Sequence, residues 1–319
     1  MPTTRVYRST DAGAPTLIGS KPQNQSYGLI NLLTACLVNG YGALPAAGWT
    51  RPYYDATIDT DSPAGAFRQA AGNQMYCRIY DDASGDAAQI ANIRGFETMS
   101  DIDTGTGPFP DNVSEPTFWY TLSFHDGSGL ARPWKVIADD RTAYVFIDLA
   151  NTFTYHSFGF GDTYSYVASD GYRTGLFGGS DGFVSSSGFG ELTALLSSKS
   201  RAHVMARNYL GAAGAVNVGI HGDVIKQTGT PLIGRLPYPH PPDNKIWLSP
   251  IYIHETAQPS IRGKLRGLWQ WLHPTGAIAD GDVFSGTGAL AGKTFLIIKD
   301  LVTAAGPIVV ETSSTWDTN

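Results

Sequence analysis

The chain has 319 residues, 42% hydrophobic and only 16% charged, so it has material for a large core and little reason to stay disordered. Its formal net charge of −6, with no concentration of Lys or Arg, speaks against direct binding to nucleic acid. No apolar run approaches the roughly 18 residues that a membrane-spanning helix needs.

A charged fraction well below the roughly 25% usual for soluble domains leaves a surface poorly protected against association. Residues 1–19 lack the basic-then-apolar order of a secretory leader, which predicts synthesis and retention in a cytoplasm. In that setting Cys36 and Cys77 read as two buried small hydrophobes.

Along the chain, residues 27–38 are predicted to form an amphipathic helix. Leu29, Leu32, Leu33, Cys36 and Leu37 recur at helical spacing, with Ser26 as N-cap and Gly40 as stop. From there the pattern turns to period two and short apolar runs. Strands are predicted over residues 66–69 and 74–80, around a turn at Ala71-Gly72-Asn73, and over 88–99. An Asp/Gly-rich loop over 101–108 comes next. A meander over 117–124, 134–138 and 143–147 continues into 155–166, and 174–177 reads as a further strand. Residues 178–190 form a Gly/Ser-rich connector, with short helical stretches predicted at 190–198 and 202–210. After a proline-rich arm at 232–242, strands are predicted at 246–254, 261–272, 293–299 and 307–312.

With 37 Gly and 19 Pro marking many turns and no repeat at a fixed period, the class is mainly β (α+β). Antiparallel, sandwich-like sheets are expected, with one N-terminal amphipathic helix and a few short helices. Three regions are expected, 1–110, 111–200 and 201–319, with soft boundaries that allow one intertwined unit.

Several short patterns resemble reactive motifs, and each lacks a part its chemistry needs. Gly178-Gly179-Ser180-Asp181-Gly182 matches a nucleophile elbow, but the next residues, Phe183-Val184-Ser185-Ser186-Ser187, do not start a helix. Asp103-Thr104-Gly105 has the aspartic-protease triplet without the second copy that chemistry requires. His254-Glu255 opens like a zinc-protease helix, yet Gln258 stands where the second ligand belongs. The seven histidines show no ligand spacing. Gly159-Phe160-Gly161-Asp162 lacks the Lys-Ser/Thr end of a phosphate loop. The acidic pairs Asp139-Asp140 and Asp280 with Asp282 have the residue types of glycoside hydrolysis, but beside turns they read as solvated carboxylates. The expectation is a non-enzyme without catalytic, cofactor-binding or metal-binding residues and without a cofactor. Tyr53, Tyr54, Trp269 and Trp271 are the candidate interface residues, since aromatic side chains are enriched in interface cores. Sandwich core and glycan stacking are the competing uses for them.

Several stretches carry a resemblance. They are Leu29 through Gly42, Ala46-Ala47-Gly48-Trp49-Thr50, Phe67-Arg68-Gln69, Arg94-Gly95-Phe96-Glu97-Thr98-Met99 and Asp103 through Pro110. Ala131-Arg132-Pro133-Trp134, Ala138-Asp139-Asp140-Arg141, Phe160-Gly161-Asp162 and Arg262-Gly263-Lys264-Leu265-Arg266-Gly267-Leu268-Trp269 extend it. Over about residues 15–316 the chain resembles virion structural proteins of tailed bacteriophages, including Mu-like and related flexible-tailed phages of Gram-negative bacteria. The resemblance implies a virion subunit, made in the bacterial host cytoplasm, whose partners are other virion proteins and further copies of itself. A tail or baseplate location leads. A capsid-associated minor capsid or decoration subunit, trimeric, is the alternative, and a receptor- or glycan-binding tail protein a further one. The resemblance carries over no catalytic residue.

Overall fold

The computed structural model describes residues 3–17, 28–55, 64–82, 90–111, 119–121, 131–148, 155–178, 195, 203–212, 214–222, 236–255, 260–299, 307–313 and 316. Chain order begins with strand β1 (Arg5–Arg8) and helix α1 (Leu29–Leu33). β2 (Thr50–Asp55), β3 (Ala64–Arg68), β4 (Tyr76–Asp82), β5 (Ile90–Met99), β6 (Gly105–Phe109) and β7 (Trp119–Thr121) come next. The middle of the chain supplies β8 (Trp134–Ala138), β9 (Thr142–Asp148), β10 (Tyr155–Asp162), β11 (Tyr164–Ser165), β12 (Thr174–Phe177) and β13 (His203–Met205). β14 (Val216–His221), β15 (Leu248–Glu255), β16 (Ser260–Trp271), β17 (Val283–Ser285), β18 (Thr294–Ile298) and β19 (Ile308–Glu311) complete it.

The class is mainly β and antiparallel. β2 to β7 form a six-stranded sheet, and the remaining strands form a thirteen-stranded one. The large sheet runs β1-β8-β9-β10-β12-β13-β14-β15-β16-β19-β18-β17, with β11 paired to β16 off that path. β1 therefore joins β8, well over a hundred residues further along, and the large sheet draws on all three expected regions.

β9 shows how the layers stack. Every residue of Thr142–Asp148 is buried, so both faces of this strand are covered. Ala143, Val145 and Ile147 point into a core shared with the helix, with Phe67, Cys77, Ile79, Ile93 and Phe109 of the small sheet, and with Phe158 and Phe160. Tyr144 and Phe146 point the other way, against Ile253, Leu265, Leu268, Leu296 and Val310 from the second half of the same large sheet. The alternation of successive side chains thus splits one strand between two cores. The molecule is built in three layers: the small sheet, the β1–β13 half of the large sheet, and its β14–β19 half. A continuous apolar run is what a strand in the middle layer requires. Two smaller clusters occupy the outermost faces, one around Phe96 and Met99 and one around Trp271 and Phe295.

The helix differs from expectation. α-Helical bonding holds only over Leu29–Leu33, and Thr34–Asn39 continues it as a π-helix. The Thr34 hydroxyl donates to the Ile30 carbonyl at 2.7 Å, a back-bond that competes with the regular ladder. The widened turn closes where the Gly40 N–H donates to the Ala35 carbonyl. Gly40 adopts φ 76°, and a Cβ there would lie 2.5 Å from the Leu44 carbonyl oxygen, so glycine is required. The carbonyls of Cys36 and Leu37 accept from the returning N–H groups of Ala47, Gly48 and Trp49. The segment has no broad polar face, because Asn31, Ala35 and Val38 are half-buried; it is a plug between sheets rather than an amphipathic surface helix. Ser26 and Tyr27 lie outside the described residues.

Other differences arise from pairing partners far away in sequence. Residues 203–205, expected to be helical, form β13 between β12 and β14. Gly105–Phe109, expected as loop, pairs with β5 as β6. The stretch predicted as a helix at 190–198 lies outside the described residues except for Leu195, which is buried in the second core. Cys36 and Cys77 are free, buried thiols, and burial pushes both well above the ordinary thiol range.

His156, on β10, sits in the middle layer at 2% exposure. Burial lowers its pKa from the ordinary 6.5 to about 3. The unfolded chain takes up a proton that the folded chain refuses across that window. Stability is therefore complete above about pH 6.5 and falls as pH drops toward about 3. His156→Gln is expected to flatten the pH dependence of urea unfolding in this range, by up to about 1.4 kcal/mol per pH unit. Identical slopes for the two proteins would remove the histidine from the acid response.

Candidate functional site

Two arginines four residues apart on β16 have side chains at no more than 1% exposure. The Arg262 guanidinium gives Nε and Nη2 to the two carboxylate oxygens of Asp170, both at 2.9 Å. Nη1 reaches Glu255 Oε1 at 2.8 Å and the Arg207 carbonyl, while Nη2 also reaches the Tyr172 carbonyl. All five N–H donors are therefore used. Burial raises the Glu255 carboxyl, and a single bond from Arg262 does not reverse this. Burial also acts on Asp170, but the bidentate bond and charge of Arg262, with Ser165 and the Tyr172 N–H, bring its carboxyl below the usual range. Asp170 holds the negative charge of this cluster most firmly.

Arg266 makes a parallel clamp. Nη2 lies 2.7 Å and Nη1 3.2 Å from the two oxygens of Asp139, and Nη1 also reaches Thr142 Oγ1 at 2.8 Å. Asp139 in turn accepts from the N–H groups of Arg141 and Thr142, fixing the turn between β8 and β9. The acidic pair Asp139-Asp140 is thus no solvated turn: Asp139 is 1% exposed and fully engaged. Burial, and then the neighbouring Asp139 charge, raise the Asp140 carboxyl.

A second hub joins the small sheet to the middle layer. Asp162, 1% exposed, accepts from Gln69 Nε2, the Asn73 N–H, Arg173 Nε and Thr174 Oγ1. Arg207 closes a further bridge, with Nε and Nη2 on the two oxygens of Glu97 from β5 at 2.6 and 2.7 Å. Its own carbonyl is held by Arg262, so one chain of contacts runs from the small sheet to β16.

The other singled-out residues are placed as follows. Asp103 forms an exposed ion pair with Arg78 at 2.8 Å. Asp280 accepts from Lys135 Nζ and the Tyr155 hydroxyl, while Asp282 accepts from the Ala279 N–H. Glu255 belongs to the Arg262 cluster, and Ser180 lies outside the described residues. Among the described residues, no group of three or more His, Cys, Asp or Glu could hold a metal ion. Among the same residues, no helix is long and apolar enough to cross a membrane.

The aromatic candidates fall on the outermost layers. Tyr53 is half-buried, stacks on Tyr76 and donates to the Met99 carbonyl. Tyr54 is exposed, with the Arg51 guanidinium 3.9 Å above its ring. Trp269 is half-buried, edge-on to Phe295, with Lys264 near its face. Trp271 is 1% exposed, covered by its own chain, and touches Tyr238, His273 and Phe284.

Beside these tryptophans lies an open groove of about 370 Å³ on the outer face of the third layer. Its apolar lining is Ile246, Leu248, Phe284, Leu290 and Phe295, with the Phe284 and Phe295 rings stacked 5.3 Å apart. Asp243, Asn244, Lys245, Ser285 and Thr287 supply the polar part. The 236–247 strap that borders it is pinned by His273. The geometry assigns Nδ1–H as donor to the Leu236 and Pro237 carbonyls and Nε2 as acceptor from the Trp247 N–H at 2.7 Å. Sequence reading missed this groove, because Phe284 and Leu290 are separated by turn residues and show no periodicity. It also missed Asp170 and Glu97, whose partners lie 92 and 110 residues away.

No known family model matches the chain, and a search of curated proteins finds no similar sequence.

Arg262→Met is expected to destabilise the fold by about 3–5 kcal/mol in urea unfolding, because it leaves Asp170 and Glu255 buried without their cation. A loss below about 1 kcal/mol would mean that this cluster does not hold the layers together.

Proposed function

We propose that the chain is a structural subunit of a tailed-bacteriophage virion, in the tail or baseplate, that works through contacts with other subunits rather than through catalysis. The observation that carries this reading is where the resemblance residues fall. Asp139, Asp162, Glu97, Arg262 and Arg266 all belong to the stretches that resemble virion structural proteins. All of them are committed to ion pairs and hydrogen bonds that tie layers together. These stretches encode a rigid framework.

The outer surface supports the same reading. Among the described residues, Tyr54, Tyr166, Leu210, Tyr238, Trp247, Ile261 and Val283 are large apolar side chains that stand exposed. With so few charges between them, such residues suit burial against neighbouring subunits. Strand β17, with Val283 at 59% exposure, stands at the end of the large sheet among the described residues, an edge that further subunits can use.

Quantitative mass spectrometry of purified particles, with gold-labelled antibody to locate the protein, tests the proposal. The expected result is a low copy number set by the rotational symmetry of the tail, with label at the tail or its tip. Label spread over the capsid at high copy number would replace it with the capsid-associated alternative. Absence from mature particles would end both.

A further inference from the structure

We propose that Lys264 is a covalent modification site, whose side-chain amine accepts an acyl group from a small activated donor, an acyl phosphate. The inference concerns the purified chain and does not rest on the assembly reading.

Three strands set the position. Lys264 lies on β16, with Tyr164 of β11 opposite it on one side and Tyr252 of β15 opposite it on the other. Directly opposed residues of an antiparallel pair share one face, so the two tyrosines flank the lysine. Its Nζ is 4.9 Å from the centre of the Tyr164 ring and 5.8 Å from that of Trp269. Tyr166 meets Tyr164 edge-on at 5.8 Å and widens the aromatic surround.

Within that surround the amine has no anion of its own. Lys135 and Lys293 each hold a carboxylate, Asp280 at 2.6 Å and Glu311 at 2.9 Å. Among the described residues, Lys264 Nζ forms neither a hydrogen bond nor an ion pair. It is half-buried rather than sealed in, so a small reagent can reach it. The charged groups that face it are Lys293 and Glu311, and Glu311 is already shared by Lys293 and the Ser313 hydroxyl. Burial first, and then the Lys293 charge, bring the Lys264 ammonium below the ordinary 10.5, while Glu311 acts the other way. The rings attract the ammonium, but they also displace the water that would hydrate it. A lysine short of water beside a second cation is primed as a nucleophile.

The step balances with the donor alone. The neutral amine attacks the acyl carbonyl carbon, a C–N bond forms, and the C–O bond to phosphate breaks. Phosphate leaves with that electron pair, and the surplus proton on nitrogen passes to water. The resulting amide is neutral, which ends the repulsion from Lys293 and lowers the demand for hydration. Both effects favour acylation here over acylation of the exposed Lys245.

Acetyl phosphate at limiting concentration, followed by peptide mass spectrometry of the purified full chain, tests the proposal. At about pH 8, Lys264 is expected to gain the acetyl group about threefold or more faster than Lys245. As pH is raised, its rate is expected to level off below the ordinary 10.5. Neither reading needs a variant. Tyr164→Ala, which opens one side of the surround to water, is expected to slow Lys264 and leave Lys245 unchanged. An equal or lower rate at Lys264 overturns the site, as does a rate that levels off at 10.5 or above. A folded Tyr164→Ala protein in which Lys264 reacts as fast as before, or faster, also overturns it, because the aromatic contacts would then be structural only.

Discussion

The three layers depend on two buried guanidinium groups carried by one strand. Arg262 and Arg266 lie on the same side of β16, and between them they reach Asp139, Asp170, Glu255 and three further polar groups. Taking two cations out of water costs several kcal/mol each, and the attraction of one carboxylate repays this only with near-complete hydrogen bonding. The bidentate pairs to Asp170 and Asp139 supply that geometry. Their main effect is on uniqueness. An apolar interface between the middle and third layers could slide by one residue pair, whereas five fixed donors on Arg262 admit one register.

The same logic extends to the small sheet. Hydrophobic burial supplies the driving force there, through Phe67, Ile79, Ile93 and Phe109 packed under the helix. Position is set by polar contacts at the edges: Asp162 grips the β3–β4 turn, and Glu97 grips Arg207. Close backbone approaches serve the same fixing role. A Cβ on Gly263 would lie 2.0 Å from the Tyr164 carbonyl oxygen, so β11 can lie on β16 only because that position is glycine. Gly95 likewise leaves room for the Phe109 ring, which stacks on Phe160 of the large sheet.

Local pattern in the sequence revealed the strands and their class, because half-buried alternation and short apolar runs are properties of adjacent residues. β8 was legible to the residue, and β9, β18 and β19 to within one residue at each end. The features that stayed hidden depend on distant partners. β13 reads as helix because His203-Val204-Met205-Ala206 has no alternation, and it is a strand only because β12 and β14 flank it. The π-helical turn was hidden too, since residues 34–39 keep the spacing of an ordinary helix. The clamp residues were visible as Arg262 to Arg266 and Asp139-Asp140, but nothing in linear spacing joins positions 124 to 127 residues apart. For the candidate site, Tyr53, Tyr54, Trp269 and Trp271 stood out on the sequence, while Phe284 and Phe295, which line the groove, did not. Trp269 and Trp271 lie beside that groove, and Trp271 is covered by its own chain.

That β16 follows β8 to β12 in chain order has a consequence for biosynthesis. Asp139 and Asp170 leave the ribosome long before the arginines that neutralise them. Until translation passes position 266, a nascent chain cannot close the second core around those carboxylates, and they stay hydrated. The early strand β1 also waits for β8 before it gains a neighbour. Maturation is therefore postponed to a late, nearly simultaneous locking event, slow in the manner of folds dominated by distant pairings. Products that stop short of position 262 lack both clamps.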